Sequence, residues 1–174
     1  LLASMALLRV APDVVACSAA ISACEKASRW QLALALFAAM PAIRVAPNAF
    51  SCSAAISACQ KAGEWQPAIA VLAAMPLLRV APDVVTCSAA ASACEQGGQW
   101  QLALLLFDDM LRLGVLPNVV ACGAAISACE TGSQWQLALA LLHALPDLRV
   151  APNVMTCNAA ISACEKARLW QLAL

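Results

Sequence analysis

The hydrophobic and polar positions of this chain recur with a constant period of 35 residues. Within each period, one tryptophan, one proline and two cysteines keep the same place, and no insertion or deletion breaks the step. A fixed period between about 20 and 50 residues is typical of proteins built from stacked, similar structural repeats. The tryptophans are Trp30, Trp65, Trp100, Trp135 and Trp170.

The period divides the chain into a single array of repeats. A partial repeat, 1–13, precedes four full repeats, and a second partial repeat, 154–174, follows them. Natural arrays usually end in polar capping repeats, and neither end of this chain resembles one. We therefore expect these 174 residues to be part of a longer array. The full repeats are 14–48, 49–83, 84–118 and 119–153.

The first half of each repeat has the pattern of an amphipathic α-helix. In the first full repeat, Cys17, Ile21 and Cys24 lie at i, i+4 and i+7, which predicts a buried stripe on a helix from Val14 to about Lys26. Asp13 precedes this helix and directly follows a proline, so it is expected to cap the first turn with its side chain. The equivalent residues are Asn48, Asp83, Asn118 and Asn153.

The second half of each repeat predicts a second helix, which starts near Trp30 in the first full repeat. This helix is apolar on nearly every side, and such a helix is expected to be buried on nearly every side. Serine or glycine at the break before it suits a tight turn and the next N-cap. Gly114 is suited to end the third of these helices, whereas proline ends the others at Pro41, Pro76 and Pro146.

The composition narrows the possible classes of function. Hydrophobic residues make up 63% of the chain, but the longest uninterrupted apolar run, 32–43, has 12 residues and contains a proline. A membrane-spanning helix needs about 20 apolar residues, so we expect no membrane segment. The formal net charge is zero, although nucleic-acid-binding proteins usually carry an excess of basic residues.

The ten cysteines occur in pairs seven residues apart. Seven residues of helix span about 10.5 Å along the axis, whereas a disulfide needs Cα atoms within about 7 Å. The two cysteines of one repeat therefore cannot pair, and we interpret them as packing residues in a reducing compartment. Zinc is a weaker alternative, because the spacing is not C-x2-C and His143 is the only histidine. We expect no metal, no other cofactor and no enzymatic activity.

Period, caps and helix lengths together resemble the pentatricopeptide repeat (PPR) family of RNA-binding proteins, whose repeat also has 35 residues and two helices. The repeat Val84–Asn118 is the most similar to the family pattern, through its opening valines, its Phe107–Met110 segment and its Gly114–Asn118 ending. Tetratricopeptide repeats have 34 residues, so the unbroken step argues against them. The resemblance implies an all-α fold, a right-handed α-α superhelix, that binds single-stranded RNA with one base per repeat.

The resemblance assigns base reading to the fifth and the last residue of each repeat. The four complete pairs are Ser18 with Asn48, Ser53 with Asp83, Ser88 with Asn118, and Gly123 with Asn153, while Asp13 and Asn158 belong to incomplete pairs. The second residue would clamp the base between neighbouring repeats, at Val15, Phe50, Val85, Val120 and Met155. Phosphate contacts are expected at Lys26, Lys61 and Lys166, weakened by Glu25 and its equivalents.

The family's pairing rules imply a purine-leaning target, roughly A-G-A over the first three full repeats, with little selectivity at Gly123. The implied role is RNA processing, stability or editing in a chloroplast or mitochondrion. One alternative is a helical scaffold that binds a protein or peptide, which zero net charge favours; another is a fragment that binds nothing tightly alone. The tryptophans could stack on bases, but their apolar helices favour core packing. The capping residues and serines also allow purely structural interpretations.

Overall fold

The computed structural model describes residues 13–168, which form nine α-helices and no β-strand within that range. Each of the four full repeats holds two helices. In the first full repeat, a short 3-10 turn, Pro41–Ile43, follows the second helix. The helices are α1 (Val14–Lys26), α2 (Trp30–Ala39), α3 (Ala49–Lys61), α4 (Trp65–Ala74), α5 (Val84–Gln96), α6 (Trp100–Arg112), α7 (Val119–Thr131), α8 (Trp135–Ala144) and α9 (Val154–Lys166).

The predicted capping residues do cap the first helix of each repeat. The Oδ1 atom of Asp13 accepts from the backbone N–H of Ala16 at 2.7 Å. Asn48 accepts from Ser51 at 2.8 Å, and the Ser51 hydroxyl in turn accepts from the backbone N–H of Asn48 at 2.9 Å. Each bond satisfies an N–H that the helix itself leaves unpaired. Asp83, Asn118 and Asn153 accept at 2.9 Å from Thr86, Ala121 and Thr156.

The linker after each second helix passes through the left-handed backbone region. Gly114 ends the third one with φ of 70°, and the N–H of Val115 bonds to the carbonyl of Met110 at 2.9 Å, which closes the helix as predicted. In the other full repeats an arginine takes this conformation, which the sequence analysis did not anticipate because the region favours glycine. These residues are Arg44, Arg79 and Arg149, with φ of 60°, 58° and 59°.

The turn between the two helices of a repeat also uses positive φ. Ser28 and Ser133 adopt φ of 54° and 55°, and Gly63 and Gly98 adopt 71°, so these residues do make the tight turn. The prediction that they also serve as N-caps is wrong. The caps are the residues after them, Arg29, Glu64, Gln99 and Gln134, and none of these forms a side-chain capping bond.

The structure comprises two compact units, one reaching to Thr86 and the other beginning at Cys87. In the first unit, α1 packs against α2 and α3, and α3 also contacts α2 and α4. In the second unit, α7 contacts α6, α8 and α9, and α8 also contacts α9. The first helices of successive repeats therefore pack side by side within each unit, and the second helices pack against them.

Burial differs sharply between the two helices of a repeat. In α3 and α7 the predicted cysteine–isoleucine stripe is fully buried, and alanines around it are buried as well. The second helices are far more exposed than their sequence predicts: only Ala33 is buried in α2, and Leu32 is half-exposed. The expectation of burial all round is therefore wrong, because each second helix rests on its neighbours along one side. None of the described helices is long and apolar enough to cross a membrane.

The ten cysteines of the first helices are free thiols, and eight of them are buried in the core, whereas Cys24 and Cys157 are partly exposed. Burial raises the pKa of Cys59, Cys94, Cys122 and Cys129 to about 11. A thiol with a raised pKa holds its proton at neutral pH and is a poor nucleophile. These side chains therefore act as small hydrophobic packing groups, which is the role the sequence predicts.

A glycine at the end of α7 allows a tryptophan of the preceding repeat to pack closely. A Cβ atom on Gly132 would lie 2.5 Å from Cδ2 of Trp100, whereas the same addition to Gly123, within α7, meets nothing within 4 Å. The two glycines lie in the same repeat but in opposite steric surroundings. The indole of Trp100 thus joins the second helix of one repeat to the first helix of the next.

We expect Gly132→Ala to lower the free energy of unfolding by about 1–3 kcal/mol, because the indole must move. Gly123→Ala is the matched control, and it should raise the free energy of unfolding by roughly 0.5–1 kcal/mol, since alanine favours a helix interior. Urea denaturation followed by circular dichroism measures both changes. Equal stability of the Gly132 variant and the unmodified chain would show that the contact with Trp100 contributes nothing.

Candidate nucleic-acid interface

A pocket of about 550 Å³ lies in the first compact unit, where α1 faces the start of the next repeat. Its lining includes the second, fifth and last residues of the first full repeat, which are Val15, Ser18 and Asn48. Phe50, the second residue of the next repeat, completes it, and Lys26 lies at the other end. The structure thus brings together, around one cavity, residues that the sequence analysis selected from two different repeats.

Two large apolar side chains that line this pocket are unusually exposed. Val15 is 70% exposed and Phe50 is 57% exposed. The equivalent side chains in the other repeats are also at least half exposed, although large hydrophobic residues usually lie in the interior. Exposed apolar side chains therefore recur at the second position of each repeat, with a period of 35 residues. The others are Val85, Val120 and Met155.

The pocket also contains polar groups that the protein itself does not satisfy. Ser18 is only 4% exposed, and its Oγ atom has no hydrogen-bond partner among the described residues. Leaving a buried hydroxyl unsatisfied costs about 1–3 kcal/mol, so such groups are uncommon in folded proteins. The Oδ1 atom of Asn48 accepts the capping bond of α3, so its NH2 group is the part of the amide that this bond leaves available as a donor.

The other predicted pairs show how the same positions vary. The Oγ atom of Ser88 donates to Oδ1 of Asn118 at 3.1 Å, so the fifth and last residues of that repeat are in direct contact. Ser53 instead donates to the carbonyl of Phe50 at 3.0 Å, and no bond joins it to Asp83 in the described part of the chain. The fifth and last residues therefore line a common pocket in the first full repeat and are hydrogen-bonded to each other in the third.

The second compact unit contains a smaller pocket, of about 320 Å³, between α7 and α9. Gly123 contributes no side chain to it, and Asn158 and Met155 of the following repeat line its other side. Ser127 and Glu130 are also part of the lining. Asn153, the predicted mate of Gly123, caps α9. This pocket therefore lacks the hydroxyl that Ser18 supplies in the first unit.

Two of the three predicted phosphate-binding lysines are already paired with carboxylates. The Nζ atom of Lys61 lies 2.9 Å from Glu25, and that of Lys166 lies 3.0 Å from Glu130. Each pair joins a glutamate to a lysine of the next repeat, 36 residues further along the chain. Lys26 forms no ion pair within residues 13–168. The sequence analysis missed these pairs, although the constant spacing of opposite charges was visible.

Glu95 occupies the same place as Glu25 and Glu130 but faces a different neighbour. The residue 36 positions later is Thr131, whose hydroxyl donates to the carbonyl of Ala128 at 2.9 Å. Burial raises the pKa of the Glu95 carboxyl, and the negative charge of Glu130 raises it further. Among the described residues, Glu95 therefore forms no ion pair equivalent to those of Glu25 and Glu130.

The tryptophans lie apart from these pockets. The four within the described residues are half-buried rather than fully buried, and Trp170 lies outside that range. Trp30 lines a separate depression together with Ser28 and Arg29. The packing of Trp100 against Gly132 of the next repeat agrees with a structural role. Among residues 13–168, no three metal-ligating side chains lie close enough together to hold an ion.

Solved structures share this fold. The PPR domain of Arabidopsis thaliana protein-only RNase P 1, in complex with tRNA, matches with a TM-score of 0.76 and 14% identity, over 88% of this chain and 81% of that one. The maize pentatricopeptide repeat protein PPR10, in complex with an 18-nt psaJ RNA element, matches with a TM-score of 0.76 and 28% identity, over 91% of this chain. This chain covers 23% of the PPR10 chain.

A third similar structure is nuclear proteinaceous RNase P 2 of A. thaliana, with a TM-score of 0.77 and 12% identity, over 88% of this chain and 35% of that one. A search of curated protein sequences gave no match. The model of the PPR repeat matches residues 15–45 and 85–115, and the model of the pentatricopeptide repeat domain matches residues 105–167. Because these models together match more than half of the sequence, the chain belongs to the pentatricopeptide repeat family.

Proposed function

We propose that this chain is a non-enzymatic scaffold that binds single-stranded RNA, with one base at the fifth and last residues of each repeat. The observation that carries the proposal is the pocket of the first unit, where exposed apolar side chains flank a buried, unsatisfied hydroxyl. Such a site suits a ligand with a flat apolar face and a polar edge, and an unpaired nucleobase has both. PPR10, at 28% identity, was solved in complex with RNA, which supports the same proposal.

The apolar walls would hold the face of the base. Val15 and Phe50 lie on two successive repeats and line the same cavity, so a base between them would cover both exposed side chains. Contact with an aromatic ring contributes about 1–3 kcal/mol per base and depends little on sequence. Because every repeat exposes an equivalent apolar residue, we infer the same clamp at Val85, Val120 and Met155.

The polar side chains of the last residues would select the base by hydrogen bonds to its edge. Asn48 and Asn118 use Oδ1 for capping, so they present NH2 donors, which suit the acceptor N1 of adenine. Asp83 presents only acceptors, which suit the N1–H and N2–H donors of guanine. The proposed target is therefore A-G-A over the first three full repeats, and Gly123 makes the fourth nearly nonselective. Family membership favours a role in organellar RNA processing, stability or editing, in a chloroplast or mitochondrion.

The proposal predicts that the chain binds a short single-stranded RNA containing A-G-A more tightly than a pyrimidine RNA of equal length. Fluorescence anisotropy at several salt concentrations measures both affinities. Binding to RNA should weaken as salt rises, because phosphate contacts release counterions. A peptide-binding scaffold would show no affinity for either RNA at any salt concentration, and that result would rule the proposal out.

Asp83→Asn should change the preferred base at the second position from guanine to adenine. Asparagine caps a helix in the same way at three other repeats, so the fold should be unaffected while an outward acceptor becomes a donor. A good pair discriminates by about 1–3 kcal/mol, or roughly 5- to 150-fold. Asn118→Asp is the reciprocal control and should favour guanine at the third position. Titrations with four RNAs that differ only at the tested base decide the matter; an unchanged preference contradicts the assignment.

Ser18→Ala should have opposite effects on stability and on RNA affinity. Removing an unsatisfied buried hydroxyl should raise the free energy of unfolding by about 1–3 kcal/mol. If a base satisfies that hydroxyl in the complex, the same change should weaken RNA binding roughly 2- to 10-fold. Ser53→Ala is the control for stability only: its hydroxyl already donates to the carbonyl of Phe50, so removing it should not raise the free energy of unfolding. Unchanged affinity of the Ser18 variant for RNA would show that Ser18 does not contact the base.

A further inference from the structure

Glutamates near the end of α1 and α7 pair with lysines of the following repeat. Glu25 bonds to Lys61 and Glu130 bonds to Lys166, at 2.9 Å and 3.0 Å. The glutamate side chains are mostly covered, at 18% and 26% exposure, whereas the lysine side chains are about half exposed. The carboxylates are therefore the more buried members, and the ammonium groups reach the surface where a second anion can approach.

One of these pairs lies at a pocket, and the lysine position of the pairs lines another. Glu130 lines the pocket between α7 and α9, and Lys26, which occupies the place of Lys61 and Lys166 in its own repeat, lines the pocket of the first unit. In each unit, a strand whose base enters the pocket would place its phosphates near the charged residues of that unit. Each paired lysine would then face two anions, the glutamate and a phosphate.

The competition between these anions has a measurable consequence. A lysine without a partner that neutralises a phosphate displaces counterions from the RNA, and this release makes affinity depend on salt. A lysine that already neutralises a glutamate adds no net positive charge to the interface. If it moves to the phosphate, the glutamate it leaves attracts a cation in its place. Either way, the paired lysine contributes little net ion release.

We propose that Glu25 and Glu130 restrain Lys61 and Lys166, and thereby set the affinity and the salt dependence of RNA binding. This inference rests on the proposed function and adds to it the residues that limit phosphate attraction. It accounts for zero net charge in an RNA-binding array: the cations at the interface are present but held by the preceding repeat. Lys26, which forms no ion pair within residues 13–168, keeps its full attraction for phosphate.

The chain contains its own control. Glu95 lies at the same position as the two restraining glutamates, but Thr131 stands where the lysine would be. Neutralising Glu95 removes one negative charge from the same row without releasing a lysine. The effect of general repulsion between glutamate and RNA can therefore be separated from the effect of a restrained lysine.

The test measures RNA affinity from 50 to 300 mM salt for the unmodified chain, Glu25→Gln, Glu130→Gln and the double variant, using A-G-A-containing RNA. Each substitution should raise affinity at low salt and steepen the plot of log affinity against log salt by about 0.7, the value for one phosphate contact on a single strand. Glu95→Gln should change the slope by less than half as much. Adding Lys61→Gln to Glu25→Gln should abolish the gain.

Distinct results separate this inference from the proposed function. If the unmodified chain binds RNA and the Glu25 and Glu130 variants keep its slope, the restraint is absent although the function stands. A gain that persists without Lys61, or an equal gain in Glu95→Gln, assigns the effect to general repulsion and also overturns the inference. If no variant binds RNA at any salt concentration, the proposed function fails and the inference with it. Circular dichroism spectra of all variants verify that they are folded.

Discussion

The hydrogen bond from the last side chain of one repeat to the first turn of the next helix is the constraint on which this structure depends. It ends the linker, starts the helix and holds the capping residue in a defined orientation. In Asn48 and Asn118 the amide oxygen is used by the cap, so the NH2 group is not engaged by that bond, and Asn48 also lines the pocket of the first unit. The capping bond therefore holds a polar side chain at the same position of each repeat.

The first helix of a repeat is more buried than the second, and this difference explains where an interface can form. The first helices are rich in alanine and pack closely against each other, so they supply the core even though their polar residues face the pockets. The second helices, with their leucines, form a partly exposed outer layer. The proposed ligand site therefore lies on the more polar and better-buried helix. Apolar side chains such as Phe50 stay exposed beside the pocket of the first unit, where the proposal places the base.

The charges of the interface depend on neighbouring repeats rather than on composition. A net charge of zero would argue against binding to a polyanion if all charges were independent. The ion pairs of Lys61 and Lys166 show that the lysines are instead held by carboxylates of the preceding repeat. Surface pairs of this kind contribute only about 0–1 kcal/mol each to stability. Their larger effect, on the inference drawn above, is to restrain lysines that would otherwise attract phosphate.

The sequence by itself determined the period, the bounds of the first helices, the caps and some of the residues that line the pockets, such as Ser18 and Met155. These features follow from periodicity and from local hydrogen bonding within a few residues. Asp13 caps the helix that it precedes, and Gly114 ends the helix that it follows. Only the tertiary structure decided that the second helices are half-exposed and that Ser18 lacks a partner while Ser88 has one. It also decided that Lys61 pairs with Glu25. These outcomes depend on how one repeat lies against the next, and a pattern within a single repeat does not encode that geometry.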